Sequence, residues 1–450
     1  MRLVPVLSRN ILEPIWMLLK NNPKRKYWKK LEKTQFLSGP TLKKKQWNKF
    51  KKMIEFVYGN NEFYQKRFDK AGIKPEDIKS PEDIKKIPIL TKEEVRENVN
   101  LMISKGFKKE KLIEAKTGGS TGKSLILYKT EKCSELKNAC ARRHDRWSGW
   151  EVGEPIGAAW GNPHYPKTIK EKLNNFLFSP TIYLDTLDTS EKRMRKFIKD
   201  WKKVKPTLLF GNAHSLYILA KFVLDKNIIS IKPKGVITTC MVLPTYERKI
   251  IEKAFGTKVT DRYGCEEVSL IGCECEKHKG MHINIEHLFV EFIKEDGEYA
   301  KPGEEGDIIV TDLLNKAMPF IRYKVQDKGI VSNKKCSCGR GLPLMEKVVG
   351  RVAESLIKKN GTRVAGVSLI ENTLTKISGI EQMQITQNKI DEIVLNIVPD
   401  NQFSKERQEE LILYFKKIFG KSTNIKLKKV KEIKQEKNGK YLFSICRVIK

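Results

Sequence analysis

Short β-rich runs alternate with helical stretches through the middle of the chain, and this alternation constrains the fold more than any other feature. The runs TLLFG, GVITTC and KVTDRYG, at 207–211, 235–240 and 258–264, are separated by helical stretches such as HSLYILAKFVLDK. Strands that alternate with helices predict a parallel sheet with crossover helices. From 285 to 331 the pattern changes to runs typical of hairpins, among them HLFVEFI and DIIVTDL. We therefore predict an α/β fold with mainly parallel sheets and a β-hairpin or barrel part.

The length of the chain predicts more than one domain. Its 450 residues exceed what a single hydrophobic core usually serves. The stretch VGRVAESLIKKNGTRV introduces a last basic segment with helices and strands of its own, so we place a boundary at Gly350–Arg351. The predicted organisation is a basic arm over 1–40, a large domain over 41–350 and a small mobile α+β domain over 351–450.

The charge of the chain is strongly positive. Its 88 Lys and Arg residues against 54 Asp and Glu residues give a net charge of +34, and residues 1–52 contain 15 basic and 2 acidic side chains. Residues 11–30 mix aliphatic and Trp positions with a basic cluster, interrupted by Glu13 and Pro14. A bilayer span takes about 20 apolar residues, so this segment is too short to cross one. Two interpretations stay open: peripheral contact with an anionic membrane, or a solvated basic arm.

Other partners and the compartment follow from the spread of lysines and cysteines. The lysines are scattered along the whole chain without a nucleic-acid motif, so we predict no nucleic-acid partner. Nine cysteines without a signal peptide indicate a reducing compartment. We expect a cytoplasmic protein, with the inner face of the membrane as the alternative location. The oligomeric state is left open, a homodimer included.

The stretch KTGGSTGKS at 116–124 resembles a Walker phosphate loop but does not match it. That pattern needs four residues between its first glycine and Gly-Lys-Ser, and here Gly118 is followed by three. Consecutive small residues can still curl backbone N–H groups around phosphate oxygens, and hydroxyls and one lysine add donors. We predict a phosphate-binding loop rather than an ordinary hairpin turn, formed by Thr117, Gly118, Gly119, Ser120, Thr121, Gly122, Lys123 and Ser124.

Two compact groups of cysteine and histidine indicate a metal site. CECEKHKGMH at 273–282 contains a Cys-x-x-His pair, Cys275 and His278, and CSCG contains the Cys-x-Cys pair Cys336 and Cys338. Thiolates and imidazoles in such pairs suit tetrahedral Zn²⁺, and four protein ligands predict a structural rather than a catalytic site. Cys273 or His282 could replace one of the chosen ligands.

Five motifs in order resemble the adenylate-forming acyl-CoA ligase superfamily, in its phenylacetate–CoA ligase and CapK-like branch. They are TGGSTGKS, DRYGCEE, MPFIRYKVQD, CSCGRGLPLMEKVVGR and NGK, and the N-terminal YWKKLEKTQFLSG is also CapK-like. The resemblance covers most of the chain.

The resemblance implies roles for individual residues. Loop 117–124 would hold the β- and γ-phosphates of ATP, with Thr121 counted among the catalytic residues. Tyr263, followed by Gly264, would lie against adenine, and Glu267 would bind Mg²⁺, while Glu266 stands where a small hydroxyl residue is more usual. Further roles fall to Asp327, which would accept the ribose hydroxyls, Arg351, which would contact the nucleotide near the hinge, and Lys440, which would reach the substrate carboxylate and α-phosphate.

The resemblance also implies the reaction. A small-molecule carboxylic acid would attack ATP to give an acyl-adenylate, and after rotation of the last domain a thiol, coenzyme A, would take the acyl group. GAAWGNPHYP and GNAHSL would line the acyl pocket, and the CapK likeness suggests cell-surface polysaccharide synthesis. Two alternatives remain: an adenylyltransferase that stops at AMP transfer, and a non-catalytic, membrane-associated nucleotide-binding protein.

Overall fold

The computed structural model describes residues 3–117, 125–161, 165–178, 180–349, 355–433 and 442–448. The α-helices are α1 Leu3–Leu7, α2 Glu13–Leu19, α3 Lys24–Thr34, α4 Gly39–Asn60, α5 Glu62–Lys70, α6 Lys92–Glu97, α7 Glu131–Trp147, α8 Ile169–Phe178, α9 Glu191–Val204, α10 Ala213–Asp225, α11 Thr245–Phe255, α12 Gly366–Lys376 and α13 Lys405–Phe419. A π-helical turn, Ser8–Leu12, joins α1 to α2, and 3-10 turns cover Pro75–Asp77, Pro81–Lys86 and Lys109–Lys111.

The strands fall into four sheets. They are β1 Ile113–Lys116, β2 Ile126–Lys129, β3 Ile156–Trp160, β4 Thr181–Asp185, β5 Leu208–Asn212, β6 Gly235–Thr239, β7 Val259–Cys265, β8 Ser269–Glu274, β9 Met281–Ile283, β10 Leu288–Ile293, β11 Glu305–Asp312, β12 Tyr323–Val331, β13 Leu344–Val349, β14 Ser355–Ile357, β15 Arg363–Ala365, β16 Ile380–Lys389, β17 Glu392–Pro399, β18 Asn424–Lys429 and β19 Ser444–Cys446.

The largest sheet has 11 strands in the order β10-β11-β12-β13-β9-β8-β7-β6-β5-β3-β4. Strands β7, β6, β5, β3 and β4 run parallel to one another, as the alternation of strands and helices predicts. From β8 to β10 every pairing is antiparallel, and these hairpin strands continue the same sheet. The predicted α/β class is confirmed.

Helix α9 illustrates how the local sequence produces the parallel half. Its buried side chains Met194, Phe197, Ile198 and Trp201 follow the i, i+3, i+4, i+7 spacing of one helix face. They pack in a core with residues of β4, β5 and α10. The helix ends at Lys205 in the left-handed conformation. The crossover between β4 and β5 is thereby fixed against the sheet.

The first helices pack against the large domain through charged and aromatic side chains of α7. The Arg142 guanidinium donates to both carboxylate oxygens of Glu13, and both side chains are buried. Trp28 of α3 lies under the guanidinium groups of Arg142 and Arg146, with ring centres 5.3 and 5.4 Å away. The helices of residues 3–19 and 24–34 are therefore attached to the body of the molecule.

The C-terminal segment forms a separate hydrophobic core around the sheet β18-β17-β16-β19. Its fully buried side chains come from both helices and from the two central strands, including Leu369, Phe415, Ile385 and Leu395. A predicted C-terminal α+β unit accordingly appears in the structure. Among the described residues, no helix combines the length and apolar character needed to cross a bilayer.

Small polar side chains connect this unit to the large domain. Ser368 Oγ lies 2.7 Å from Thr186 Oγ1, and Asn372 Nδ2 donates to the carbonyl oxygen of Gly161 at 2.9 Å. A Cβ atom on Gly161 would lie 2.6 Å from the Cβ of Ser368, closer than two carbon atoms can approach. The contact therefore requires a glycine on the large-domain side.

Candidate active site and metal centre

A cavity of about 760 Å³ lies beside the carboxyl ends of the parallel strands. Ends of parallel strands are where open α/β sheets bind their ligands. Its wall brings together five sequence-predicted residues from three segments distant in sequence, namely Thr117, Tyr263, Gly264, Glu267 and Asp327. The volume falls within the range of small-molecule sites.

Tyr263 and Asp327 are joined directly. The Tyr263 hydroxyl donates to Asp327 Oδ2 at 2.9 Å, which links β7 to β12 across the cavity wall. Asp327 is buried. Beside them, a Cβ atom on Gly264 would lie 2.6 Å from the Ser269 carbonyl oxygen, so glycine here allows β8 to approach at the register shift after Tyr263. Aromatic ring and carboxylate are thus held as one preorganised pair.

The two neighbouring glutamates have different environments. Glu267 is buried, and its Oε1 accepts a hydrogen bond of 2.9 Å from the hydroxyl of Tyr323. Glu266 is exposed and pairs with Lys129 Nζ at 2.9 Å. A buried carboxylate oriented by one hydrogen bond suits a hard cation better than an exposed, already paired one. This geometry favours Glu267 over Glu266 as the ligand that would hold Mg²⁺.

The predicted phosphate loop has a closed base. Thr117 N donates to the Leu125 carbonyl oxygen at 2.9 Å, and Leu125 N donates to Thr117 Oγ1 at 2.8 Å. Strands β1 and β2, which precede and follow the loop in the sequence, pair antiparallel. The loop residues Gly118, Gly119, Ser120, Thr121, Gly122, Lys123 and Ser124 lie outside the described residues.

The C-terminal unit supplies part of the cavity wall. Ile370 and Asn372 of α12 and Phe443 lie on it. Two predicted residues, Arg351 and Lys440, lie outside the described residues. The unit therefore covers the cavity in this orientation.

Sequence reasoning missed the cavity residues Lys116 and Phe210. Lys116 lines the wall next to Thr117, and burial lowers the pKa of its amine. Phe210, in the middle of β5, stacks on Trp160 at the end of β3 with ring centres 5.3 Å apart. Lys116 could have been predicted from its position directly before the glycine-rich loop, as the first residue of KTGG. The aromatic pair becomes apparent only once the parallel register joins two segments distant in sequence.

Two polar residues of the parallel half have distinctive surroundings. Burial and the neighbouring Glu274 carboxylate raise the pKa of Asp261, on the cavity wall, to about 7. His214, in the GNAHSL stretch expected to line an acyl pocket, instead has its Nδ1 2.5 Å from Glu247 Oε1. Of the GAAWGNPHYP stretch, Trp160 reaches the wall, while 162–164 lie outside the described residues. That these two stretches line an acyl pocket stays a prediction.

A cluster of three cysteines and one histidine lies at the other side of the hairpin strands. The ligand atoms of Cys275, His282, Cys336 and Cys338 all lie within 4.8 Å of one another. Cys275 Sγ is 3.6 Å from Cys336 Sγ, and Cys338 Sγ is 3.3 Å from His282 Nε2. Four such donors suit tetrahedral Zn²⁺, which leaves no position open for substrate.

The surroundings of the cluster orient its donors. His282 Nδ1 donates to the Leu342 carbonyl oxygen at 3.2 Å, which aims Nε2 at the sulfurs, as outer contacts of metal-bound histidines commonly do. Burial lowers the pKa of His282 to about 4, so its imidazole is neutral at pH 7. Backbone N–H groups of Lys277 and Arg340 point at Cys275 and Cys338 sulfurs at 3.4 and 3.5 Å.

The sequence-based choice of His278 as the fourth ligand needs correction. Its Nδ1 lies 3.5 Å from Glu274 Oε2, and the residue adopts a left-handed backbone with φ 49° in the turn after Cys275. His282 takes its place because β9 pairs with β13 and brings it under the Cys336–Cys338 loop. Cys273, the other alternative considered, is buried but does not belong to the group of four donors.

Comparison with known proteins agrees with this architecture. Residues 356–447 match the CapK C-terminal domain family. Protein CapK of Staphylococcus aureus is 25% identical over 458 residues, covering 99% of this chain and 98% of that protein. Phenylacetate-coenzyme A ligase of Aromatoleum evansii is 27% identical over 340 residues, covering 73% of this chain and 74% of that protein.

Solved structures show the same fold. A 2-hydroxyisobutyryl-CoA ligase in complex with 2-HIB-AMP and CoA, in the thioesterification state, superposes with a TM-score of 0.61 at 16% identity, covering 92% of this chain and 91% of that one. An open conformation of that ligase gives a TM-score of 0.57 at 17% identity, covering 90% of each chain. Taken with the sequence matches, these findings identify the chain as a homologue of CapK and of the phenylacetate–CoA ligases, with the fold of adenylate-forming ligases.

Proposed function

We propose that this chain is an AMP-forming acid–thiol ligase that activates a carboxylic acid with ATP and passes the acyl group to coenzyme A. The observation that carries the proposal is the cavity in which Thr117, Tyr263, Glu267 and Asp327 converge from three segments distant in sequence. Homology to the phenylacetate–CoA ligases supports this reaction class.

In the first half-reaction, a carboxylate oxygen bonds to the α-phosphorus of ATP while the bond to the bridging oxygen of pyrophosphate breaks. The Tyr263 ring would lie against adenine, and Asp327, held by the Tyr263 hydroxyl, would accept hydrogen bonds from the ribose. A buried carboxylate with two acceptor oxygens fits a diol. These two residues would fix the nucleoside end of ATP relative to the loop base at Thr117.

The triphosphate requires positive charge where pyrophosphate leaves. The donors in loop 117–124 and the neighbouring Lys116 would supply part of it. Glu267 would hold Mg²⁺, which neutralises phosphate charge when bound. Tyr323 orients the Glu267 carboxylate, so the cation ligand is positioned before ATP arrives.

The acyl end of the substrate would lie beside Trp160 and Phe210. Strand β5 is two strands away from β7 in the sheet, about 10 Å at the usual strand spacing. The aromatic pair is therefore separated from Tyr263 by roughly the length of a nucleotide's phosphate and a small acid. Met241 and Leu243 on the same wall favour an acid with an apolar body.

In the second half-reaction, the coenzyme A sulfur bonds to the acyl carbon and AMP leaves with its bonding electrons. Lys440 would act before this, by neutralising charge at the α-phosphate. It lies three positions before the cavity-lining Phe443, at most about 11 Å of chain. Rotation of the 351–450 domain would then remove it and admit the thiol. We also propose a role in cell-surface polysaccharide synthesis, and this part rests on the similarity to CapK alone.

The Cys/His cluster would hold one structural Zn²⁺ through Cys275, His282, Cys336 and Cys338. Because it joins β9 to the loop before β13, the metal would fix the antiparallel half of the sheet that carries Asp327 on β12. Its chemistry is separate from the reaction, since its four donors would fill the tetrahedron.

A carboxylate library tests the function directly. Each acid is supplied with ATP and Mg²⁺, pyrophosphate is measured, and reactive acids are then tested with coenzyme A for thioester. We expect pyrophosphate release with a subset of acids and thioester with the same subset. Release without thioester would favour the adenylyltransferase alternative, and failure of every acid despite ATP binding would favour a non-catalytic nucleotide-binding protein.

A further inference from the structure

Large apolar side chains are exposed in one concentrated area. Of the 19 large hydrophobic side chains that are exposed among the described residues, 10 lie on the helical run 3–19 and on α8. We name this area the apolar platform. Its members are Leu3, Leu7, Ile11, Ile15, Trp16, Leu18, Leu19, Ile169, Leu173 and Phe176.

The platform is one continuous surface made of two segments far apart in sequence. Helix α8 contacts α1 and the π-helical turn, and the ring centres of Trp16 and Phe178 are 5.7 Å apart. On α8 the exposed positions Ile169, Leu173 and Phe176 follow the i, i+4, i+7 spacing of a single face. No described residue of α8 is buried, so the helix lies on the surface.

The helical run 3–19 has the reverse of the usual amphipathic arrangement. Its inward face carries Ser8, Glu13 and Met17, which are buried, whereas Leu18 and Leu3 are 82% and 76% exposed. The buried ion pair between Glu13 and Arg142 fixes which face points inward. The leucines are therefore held outward by the fold, and extended apolar patches of this kind mark interaction sites.

The sequence that carries and flanks the platform is basic, although Arg9 pairs with Glu151 at 3.3 Å. Glu13 is the only acidic residue in 3–30, and its charge is turned inward onto Arg142. Exposed lysines flank both segments, namely Lys20, Lys26, Lys29, Lys30, Lys167, Lys170 and Lys172. The one acid on α8, Glu171, accepts from the backbone N–H groups of Lys167 and Thr168 at 2.7 and 3.1 Å.

We propose that the apolar platform docks on an anionic lipid bilayer, with its leucines in the boundary between headgroups and acyl chains and its lysines on the headgroups. An apolar helix face with a basic rim is the arrangement that binds in the plane of such a surface. A second copy of this chain fits less well, because each copy brings the same basic rim and a net charge of +34. This inference is independent of the proposed ligase reaction.

Flotation of the full-length chain with vesicles tests the proposal. The vesicles are either phosphatidylcholine alone or contain about one third phosphatidylglycerol, at low and at high salt. The chain should float with the anionic vesicles, and high salt should weaken binding severalfold. Failure of the full chain to float with anionic vesicles at low salt would overturn the proposal.

A matched pair of double variants separates the platform from general charge. Leu18→Glu/Leu173→Glu places two carboxylates on the platform, and Ile229→Glu/Leu413→Glu places two at other exposed positions, 81% and 66% accessible. The platform variant should lower vesicle partitioning at least about tenfold and the control less than about twofold. Equal losses would mean that net charge alone drives binding, which contradicts a docking surface.

Two further measurements distinguish lipid docking from misfolding and from self-association. Melting temperatures of both variants should match the unchanged chain, because all four positions are exposed, and a shared drop in melting temperature and binding would count against the proposal. Light scattering gives the mass in solution. If the unchanged chain is a dimer that the platform variant separates into monomers, and it does not float, the platform is a subunit interface and the lipid proposal is wrong.

Discussion

The cavity and the Cys/His cluster both use residues of β9, Met281 and His282 respectively, but differ in how complete they are. In the cluster, four donor atoms from two segments lie within 4.8 Å of one another. In the cavity, Tyr263, Glu267 and Asp327 are fixed by hydrogen bonds, whereas residues 118–124 of the proposed phosphate loop and Lys440 lie outside the described residues, close in sequence to the wall residues Thr117 and Phe443. The difference teaches that the fold alone can bring a full set of metal-type donors together, whereas the site proposed to admit ATP, an acid and a thiol would depend on groups from further segments.

The largest effect should come from breaking the closed site. Cys336→Ser/Cys338→Ser removes two of four donors, so the protein should lose its zinc, about one per chain in the unchanged protein, and about 4 kcal/mol or more of stability. Elemental analysis and urea unfolding measure these. Full zinc content in the variant would show that other residues bind the metal.

A histidine pair sharpens the same site. His282→Ala should release zinc, while His278→Ala should retain it. The reason is that Nε2 of His282, and not a nitrogen of His278, faces the cysteine sulfurs. The reverse result would restore the sequence-based ligand set.

The next effect concerns the proposed mobile cation. Lys440→Ala should slow pyrophosphate release about 100-fold, or about 2.7 kcal/mol, because it removes the charge proposed to neutralise the α-phosphate in the closed orientation. Conversion of a supplied acyl-adenylate to acyl-CoA should be unchanged. Lys431→Ala removes an exposed lysine nearby and serves as control. If Lys440→Ala slows both half-reactions equally, the lysine is structural.

A smaller effect is expected from the loop. Thr121→Ala/Lys123→Ala should weaken ATP-dependent activity at least about tenfold, or about 1.4 kcal/mol, through loss of phosphate donors. Lys132→Ala, an exposed lysine on α7, is the control. Unchanged kinetics in the double variant would remove the phosphate assignment.

The smallest effect tests whether the wall is preorganised. Tyr323→Phe deletes the hydrogen bond to Glu267 and should lower activity about fivefold, or about 1 kcal/mol, chiefly through a higher Mg²⁺ requirement. Tyr299→Phe removes a similar bond to Glu291 away from the cavity and should not change the Mg²⁺ dependence. If both variants show the same Mg²⁺ dependence, Glu267 is not the residue that binds Mg²⁺.

Periodic patterns predicted the parallel half well, because each strand and crossover helix is specified locally. The runs at 208–212, 235–239 and 259–265 are strands. The stretch TKEEV predicts a helix capped by Thr91 with Glu94 in the capping box, and α6 begins in this way. The apolar positions over 41–70 predict one helix. Residues 41–70 instead belong to two helices, because Asn61 leaves the helical conformation and caps α5 through Tyr64 N.

What sequence could not supply was proximity between segments. His278 was preferred to His282 because Cys-x-x-His spacing is local, whereas the pairing of β9 with β13 decides which imidazole meets the sulfurs. The segment SPEDIKK predicts a helix that ends before Pro88. It forms the 3-10 turn Pro81–Lys86, in which Asp83 accepts hydrogen bonds from the Ser80 backbone N–H and hydroxyl. Gly118 to Ser124, Arg351 and Lys440 stay predictions.

The absence of a side chain at Gly161 allows the large domain and the C-terminal unit to make their close contact. One methyl group there would collide with Ser368 and would also disturb the place where Asn372 holds the Gly161 carbonyl. In a ligase whose last domain rotates between two orientations, a side chain at position 161 would block the orientation that contains this contact. The enzyme would then stay in the other orientation. A single carbon atom, far along the chain from the predicted phosphate loop, would then decide which half of the reaction the enzyme performs.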